Sequence, residues 1–167
     1  VADYWEQVII MNDHQKRRFA EKIVRTLYNT VAGKRIAILG WAFKKDTNDT
    51  RESAAIYVAD YLLNEQAEVV VYDPKVTEEQ IYADLDYLQS RSEADNRRLL
   101  KVVNTPQEAA ESAHAVAVLT EWDEFRWLDF DKVGELLAAK RVVDGRNLLD
   151  REALRRRGFA YAGVGRM

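Results

Sequence analysis

Four consecutive apolar residues, Ile36, Ala37, Ile38 and Leu39, stand between Arg35 and Gly40 with no polar side chain among them. A strand with one wet face alternates polar and apolar residues, so a short unbroken run reads as a strand covered on both faces, the mark of a parallel sheet between helices. The pattern recurs in EVVVYD (Glu68 to Asp73), AVAVL (Ala115 to Leu119) and RVVD (Arg141 to Asp144), with shorter candidate strands at Leu99 to Val103 and Phe159 to Val164. Between the first two runs, Ala54, Ala55, Val58, Ala59, Leu62 and Leu63 recur at three- and four-residue spacing, which makes an amphipathic helix. Strand, helix, strand within about 40 residues is the opening unit of a doubly wound α/β sheet.

The remaining segments fit that frame. Ala2 to Tyr28 lacks Gly and Pro and places Trp5, Val8, Ile9, Phe19, Ile23 and Leu27 on roughly one side of a helix. Its opposite side, with Lys16, Arg17, Arg18, Glu21, Lys22 and Arg25, reads as a solvated face. His14 has no catalytic partner nearby in sequence and is assigned to packing or the surface. Thr77 to Arg98 reads as a helix followed by a mobile charged loop, with Ile81, Leu85 and Leu88 as its anchors. Thr105 caps a helix that begins at Pro106 and runs to Ala113, and further helices are expected near Asp131 to Ala139 and at Arg151 to Arg157. The fold class is therefore α/β, a Rossmann-like doubly wound parallel sheet over residues 31–167, preceded by a helical extension over 1–30.

The chemistry gathers after the first strand. Phe43, Lys44, Lys45, Asp46, Thr47, Asn48 and Asp49 show neither strand nor helix periodicity and form a loop. Asp49 and Glu52 have the spacing of a capping box for the helix that follows. A cationic loop between a central strand and a helix suits a phosphate, because Lys charge adds to inward-pointing backbone N–H groups. Arg146 follows the RVVD strand; in one parallel sheet it emerges on the same edge as Lys44, where both can face one anion or remain separate solvated charges. Asp73 has two readings, a ribose ligand at the end of a second strand or the first residue of an Asp-Pro turn. Gly40 lacks the G-x-G-x-x-G spacing of a dinucleotide site. Trp122, Phe125, Trp127 and Phe130 are read as padding at the sheet edge, with a stacking platform as the alternative.

Composition excludes several classes. A net charge of -3 supplies no general attraction to nucleic acid or anionic lipid. The absence of Cys rules out disulfides, zinc-thiolate sites and a cysteine nucleophile within this chain. No apolar run approaches the roughly 18 residues of a membrane span, and no secretory leader pattern opens the chain, so a cytoplasmic location is the default. The chain starts at Val1, not Met, and is expected to be a segment of a longer protein.

GWAFKKDTNDTRES (Gly40 to Ser53) resembles the C-terminal signature of the nucleotide-sugar dehydrogenase family, in its UDP-glucose 6-dehydrogenase form. The resemblance continues through VYDPKV, AHAVAVLTEWDEF, VVDGRNLLD and YWEQVIIMNDHQKRRF, covering nearly the whole chain. It implies a three-part, NAD-dependent enzyme that oxidises the sugar C6 alcohol of UDP-glucose twice, through a cysteine-bound intermediate, to UDP-glucuronate. This chain would be its C-terminal UDP-binding domain, with residues 1–30 the tail of a central dimerisation region. By the same resemblance Phe43, Lys44 and Arg146 contact the substrate and Arg51 reaches NAD. No catalytic or metal-binding residue is assigned to this chain, which alone is expected to be inactive. UDP-glucose, the enzyme's own other domains and further copies of itself in a homo-oligomer are the expected partners. Another nucleotide-sugar dehydrogenase, acting on GDP-mannose or UDP-N-acetylmannosamine, is the alternative, as is a stand-alone nucleotide-binding module.

Overall fold

The computed structural model describes residues 15–164. Six parallel strands form one sheet: β1 (Arg35–Leu39), β2 (Glu68–Tyr72), β3 (Leu100–Val102), β4 (Ala115–Val118), β5 (Arg141–Asp144) and β6 (Ala160–Gly163). Their order across the sheet is β3-β2-β1-β4-β5-β6. Ile36, Ala37 and Ile38 of β1 pair with Val69, Val70 and Val71 on one side and with Ala115, Val116 and Ala117 on the other. All of these side chains are buried, which is why their sequence shows no alternation. The order turns back between β1 and β4, so the switch point where open α/β sheets bind ligands lies beside the first strand.

Helix α1, described over residues 15–26, packs Ala20 and Ile23 into the core, and Leu27 just past its end is buried too. The tryptophan, valine and isoleucine expected on its earlier turns, and His14, lie outside the described residues. Its basic side is not uniformly solvated. The Lys16 ammonium sits 4.2 Å from the centre of the Tyr57 ring and 3.9 Å from a Glu52 carboxylate oxygen, with a side chain only 14% exposed. Lys22 donates to the Gly163 carbonyl at the end of β6, and burial, with Arg25 and Arg18 nearby, lowers its pKa.

Helix α2 (Ala54–Asn64) buries Ala55, Ile56, Val58, Ala59, Leu62 and Leu63 against the sheet. The expected mobile loop before Arg98 is instead a second helix: α3 (Glu78–Tyr87) is followed by α4 (Glu93–Leu99), capped by Ser92. The apolar spacing missed it because polar bonds hold it. Arg91 pairs with Asp60 of α2 at 2.5 Å and donates to Asn96 of α4, and Asn96 donates to Asp86 of α3. Helix α5 (Pro106–Ala110) starts as expected, with the Thr105 hydroxyl accepting from Glu108 N, but ends before Ala113, with Ser112 in the left-handed region. A short α6 (Asp123–Arg126), α7 (Phe130–Leu136) and α8 (Arg151–Arg156) cover the other half.

Candidate functional site

Strand β1 ends at a turn that only glycine permits. Gly40 has φ +99°, and a Cβ there would fall 2.4 Å from the Thr120 side chain at the end of β4. The next two residues are held on every backbone group. Trp41 N and Ala42 N donate to the Asp73 carboxylate at 2.7 and 2.9 Å, Ser53 Oγ donates to Trp41 O at 2.6 Å, and Thr120 Oγ1 donates to Ala42 O at 2.7 Å. Asp73, Ser53 and Thr120 are themselves buried. The chain therefore leaves the sheet in one direction, and the loop from Phe43 to Glu52 projects beyond the carboxyl ends of β1 and β4.

Phe43 N donates to Asp49 O at 2.8 Å and closes this loop on itself. The loop is longer than the capping pattern implied. Glu52 adopts φ +61°, which breaks any helical path from Asp49, and α2 begins only at Ala54 with Ser53 as its cap. Asp49 instead accepts from Arg51, at 3.1 Å from Nε, 2.8 Å from Nη2 and 3.0 Å from the backbone N. The Arg51 guanidinium holds the Asp49 carboxyl at a pKa of about 2. Arg51 thus stands in the loop, outside the first helical turn, with its side chain 89% exposed.

The second cation arrives from β5. Asp144, with no exposed surface, accepts from Arg146 N at 3.1 Å, Leu149 N at 2.8 Å and the Tyr161 hydroxyl at 2.9 Å. This fixes the turn that carries Arg146. Gly145 has no room for a side chain, since a Cβ would lie 2.9 Å from Val118 O and 3.1 Å from the Phe19 ring of α1. Arg146 then reaches across the switch point. Its Nη2 donates to Phe43 O at 2.7 Å and its Nε to Leu119 O at 3.1 Å, with a Glu121 carboxylate oxygen 3.3 Å from Nε. The other Glu121 oxygen accepts from Lys45 N at 2.7 Å, so one acid links the β1 loop to the β5 turn.

Phe43 and Arg146, expected to share a site, are in direct contact, and Lys44 follows Phe43 on the exposed surface of the same loop. Lys44 makes no hydrogen bond or ion pair among the described residues; its charge contributes to lowering the Asp49 pKa. Lys45 is engaged, with its ammonium 3.5 Å from Asp123. The arrangement offers a fixed guanidinium, a free ammonium and an exposed aromatic ring at the sheet's carboxyl edge. Such a set can take a phosphate beside a base or sugar.

Glu121 went unassigned in the sequence because nothing in TEWDEF distinguishes an orienting acid from a solvated one. The aromatics after β4 are mostly padding. Trp122 and Phe125 are buried, Phe130 packs edge-on against Phe159 with ring centres 6.0 Å apart, and Trp127 alone of the four is widely exposed. Asp73 resolves toward the turn reading: its carboxylate accepts from Lys75 N at 2.8 Å and Val76 N at 3.0 Å, and from the Trp122 indole at 3.1 Å. Among the described residues no three His, Cys, Asp or Glu side chains gather as a metal site, and no helix is long and apolar enough to cross a membrane.

The pattern described as "UDP-glucose/GDP-mannose dehydrogenase family, UDP binding domain" matches residues 37–151. The chain is 47% identical to UDP-glucose 6-dehydrogenase of Bos taurus over 169 aligned residues, spanning 99% of this chain and 34% of that protein. It is 48% identical to UDP-glucose 6-dehydrogenase of Caenorhabditis elegans, with the same coverage. Among solved structures, a UDP-glucose dehydrogenase from the hyperthermophilic archaeon Pyrobaculum islandicum superposes with a TM-score of 0.65 at 26% identity, over 92% of this chain and 30% of that one. The chain spans about a third of the length of the curated relatives it matches.

Proposed function

This chain belongs to the UDP-glucose/GDP-mannose dehydrogenase family, and on that footing we propose that it is the part of an NAD-dependent UDP-glucose 6-dehydrogenase that grips the uridine nucleotide of the substrate. The observation that carries this reading is the hydrogen bond from Arg146 to Phe43 O, which gathers the β1 loop and the β5 turn into one cationic patch beside the switch point.

In this reading Arg146 and Lys44 neutralise the diphosphate. Arg146 acts from a fixed position, because Leu119 O, Phe43 O and Glu121 already orient its guanidinium, so little side-chain entropy is lost on binding. Lys44 acts as a mobile point charge, and the exposed Phe43 ring packs against the ligand's flat or apolar surface. The chain's part in the reaction is to bind and orient. Removal of hydride from the sugar C6 requires NAD, and the first turn of this sheet does not fit a dinucleotide, since the N–H groups that would hold a pyrophosphate are occupied by Asp73. NAD belongs in this proposal to another domain of the longer protein, and Arg51, exposed at the α2 end of the loop, is the residue that reaches toward it. The thiol that carries the sugar between two oxidations also comes from elsewhere, as this chain has no Cys. The partners are accordingly UDP-glucose, the remaining domains and further copies in a homo-oligomer in the cytoplasm.

Calorimetric titration of UDP and of GDP into the chain tests the proposal. UDP is expected to bind saturably and more tightly than GDP, and no nicotinamide reduction is expected when UDP-glucose and NAD are added to the chain alone. Absence of UDP binding, or a preference for GDP, would overturn it in favour of another reading of the family.

A further inference from the structure

The Asp73 carboxylate is placed where an anion from outside would otherwise bind. It is only 8% exposed and accepts five N–H groups: Trp41 N, Ala42 N and the Trp122 indole on one oxygen, Lys75 N and Val76 N on the other. No cation pairs with it among the hydrogen bonds and ion pairs of the described residues; all five of its donors are backbone or indole N–H groups. Two consecutive N–H groups directly after the first strand are the donors that a dinucleotide fold offers to a pyrophosphate. An acid at the end of the second strand is the group that the same fold offers to a ribose. In this chain the second group has turned back and filled the first.

We propose that Asp73 is a resident anion: its carboxylate permanently occupies the oxyanion-binding cradle of the first βα turn, excluding a pyrophosphate and holding the root of the Phe43–Lys44 loop. The neighbouring geometry supports this. The carbonyls of Trp41 and Ala42 are taken by Ser53 and Thr120, so the N–H and C=O groups of both residues are satisfied from within, and the Thr120 side chain lies where a Cβ on Gly40 would have to go. The ten residues from Phe43 to Glu52 can then leave the turn without a ligand to shape it.

A cradle of this kind should recognise a small oxyanion once its own is removed. In Asp73→Ala the hole left behind is the size of a formate ion. The thermal unfolding midpoint of this variant is expected to fall by roughly 5–10 °C in chloride. Formate at the same ionic strength should restore about half of the loss or more, with acetate and phosphate, which are larger, restoring less. The unaltered chain should show no such formate-specific gain. Asp73→Asn fills the space but turns amide hydrogens toward donors, so it should be destabilised and unresponsive to formate. Should Asp73→Ala fail to fold in chloride, recovery of its near-ultraviolet circular dichroism on refolding in formate becomes the readout. Lack of any oxyanion-specific recovery, or an Asp73→Asn variant that melts with the unaltered chain, would overturn the proposal. Neither measurement involves a nucleotide, so its failure would be separate from failure of the UDP reading.

Discussion

Asp73 and Asp144 hold matching places in the two halves of the sheet, one directly after β2 and the other at the end of β5. Each is buried, each accepts N–H groups from the turn that follows it, and each takes a further bond from an aromatic side chain, Trp122 or Tyr161. They differ in what they do to the neighbouring strand end. Asp73 reaches sideways to the turn after β1 and closes it, whereas Asp144 spends its acceptors on its own turn and on Tyr161, leaving Arg146 to cross toward β1. The same device, a buried acid at a strand end, therefore seals one half of the carboxyl edge and builds a cationic site on the other. In the proposed reading, the ligand goes where N–H groups remain unclaimed and the turn carries a cation.

The largest effects are expected at the acids themselves, at Asp144 as at Asp73. Replacement of Asp144 by Ala leaves the buried Leu149 N and Tyr161 hydroxyl, and the part-buried Arg146 N, without their acceptor. Unsatisfied buried donors cost about 1–3 kcal/mol each, and partial relaxation of the turn should bring the total to about 2–4 kcal/mol in urea unfolding. Nucleotide affinity should fall with it, because Arg146 loses the turn that aims it. A variant as stable as the parent would mean that Asp144 and Asp73 are not the same device.

The next effect separates the two turns by their cations. Arg146→Ala and Lys44→Ala should each weaken UDP binding by about 1.5–3 kcal/mol, or about 10- to 150-fold, the usual worth of a hydrogen bond to a charged group. Lys75, on the turn after Asp73, is the matched control, and Lys75→Ala should leave UDP affinity within about twofold, since an exposed charge away from a site changes little. Calorimetry on the three variants side by side decides this. Equal losses at Lys75 and Lys44 would erase the distinction between a sealed and an open half.

The sheet was legible because burial on both faces leaves a mark in the sequence: β1, β2, β4 and β5 are uninterrupted apolar runs with a polar or glycine boundary. Helices held by an apolar stripe, such as α2, were legible for the same reason. Helix α4 was not, since Arg91, Asp60 and Asn96 fasten it through polar bonds that have no period. In the site, Lys44 and Arg146 could be placed on one edge from strand direction alone. Their link could not, because Arg146 bonds to a backbone carbonyl, that of Phe43, which carries no sequence signal. Asp73 was ambiguous for a related reason. A ribose ligand and a buried plug are the same residue at the same strand end, distinguished only by the long-range approach of Trp41 N and Ala42 N. The start of α2 was misplaced because Asp49 and Glu52 have capping spacing, while the left-handed Glu52 diverts the chain first.

The smallest effect on stability belongs to the far end of the loop, beyond the root that Asp73 holds. Asp49 and Arg51 face solvent, and their pairing draws the Asp49 carboxyl from 3.8 to about 2, chiefly through the side-chain hydrogen bonds of Arg51. A folded-state pKa below the unfolded one contributes stability that is complete above the unfolded value and is lost as pH falls through the folded value. Any contribution from this pair is therefore constant at neutral pH and disappears only as pH falls from 3.8 toward 2. Arg51→Ala should leave the neutral-pH unfolding midpoint unchanged, as exposed pairs are screened and weak. The Asp49 carboxyl should titrate at higher pH, followed by NMR of its side-chain carbon, yet stop short of the usual value, because the backbone N–H of residue 51 and the charge of Lys44 remain. In the NAD-dependent enzyme proposed above, the same substitution should raise the KM for NAD and leave that for UDP-glucose in place. A change confined to UDP-glucose would move Arg51 to the nucleotide-sugar side, and a large loss of stability would show that the loop is held by Asp49 and Arg51 after all.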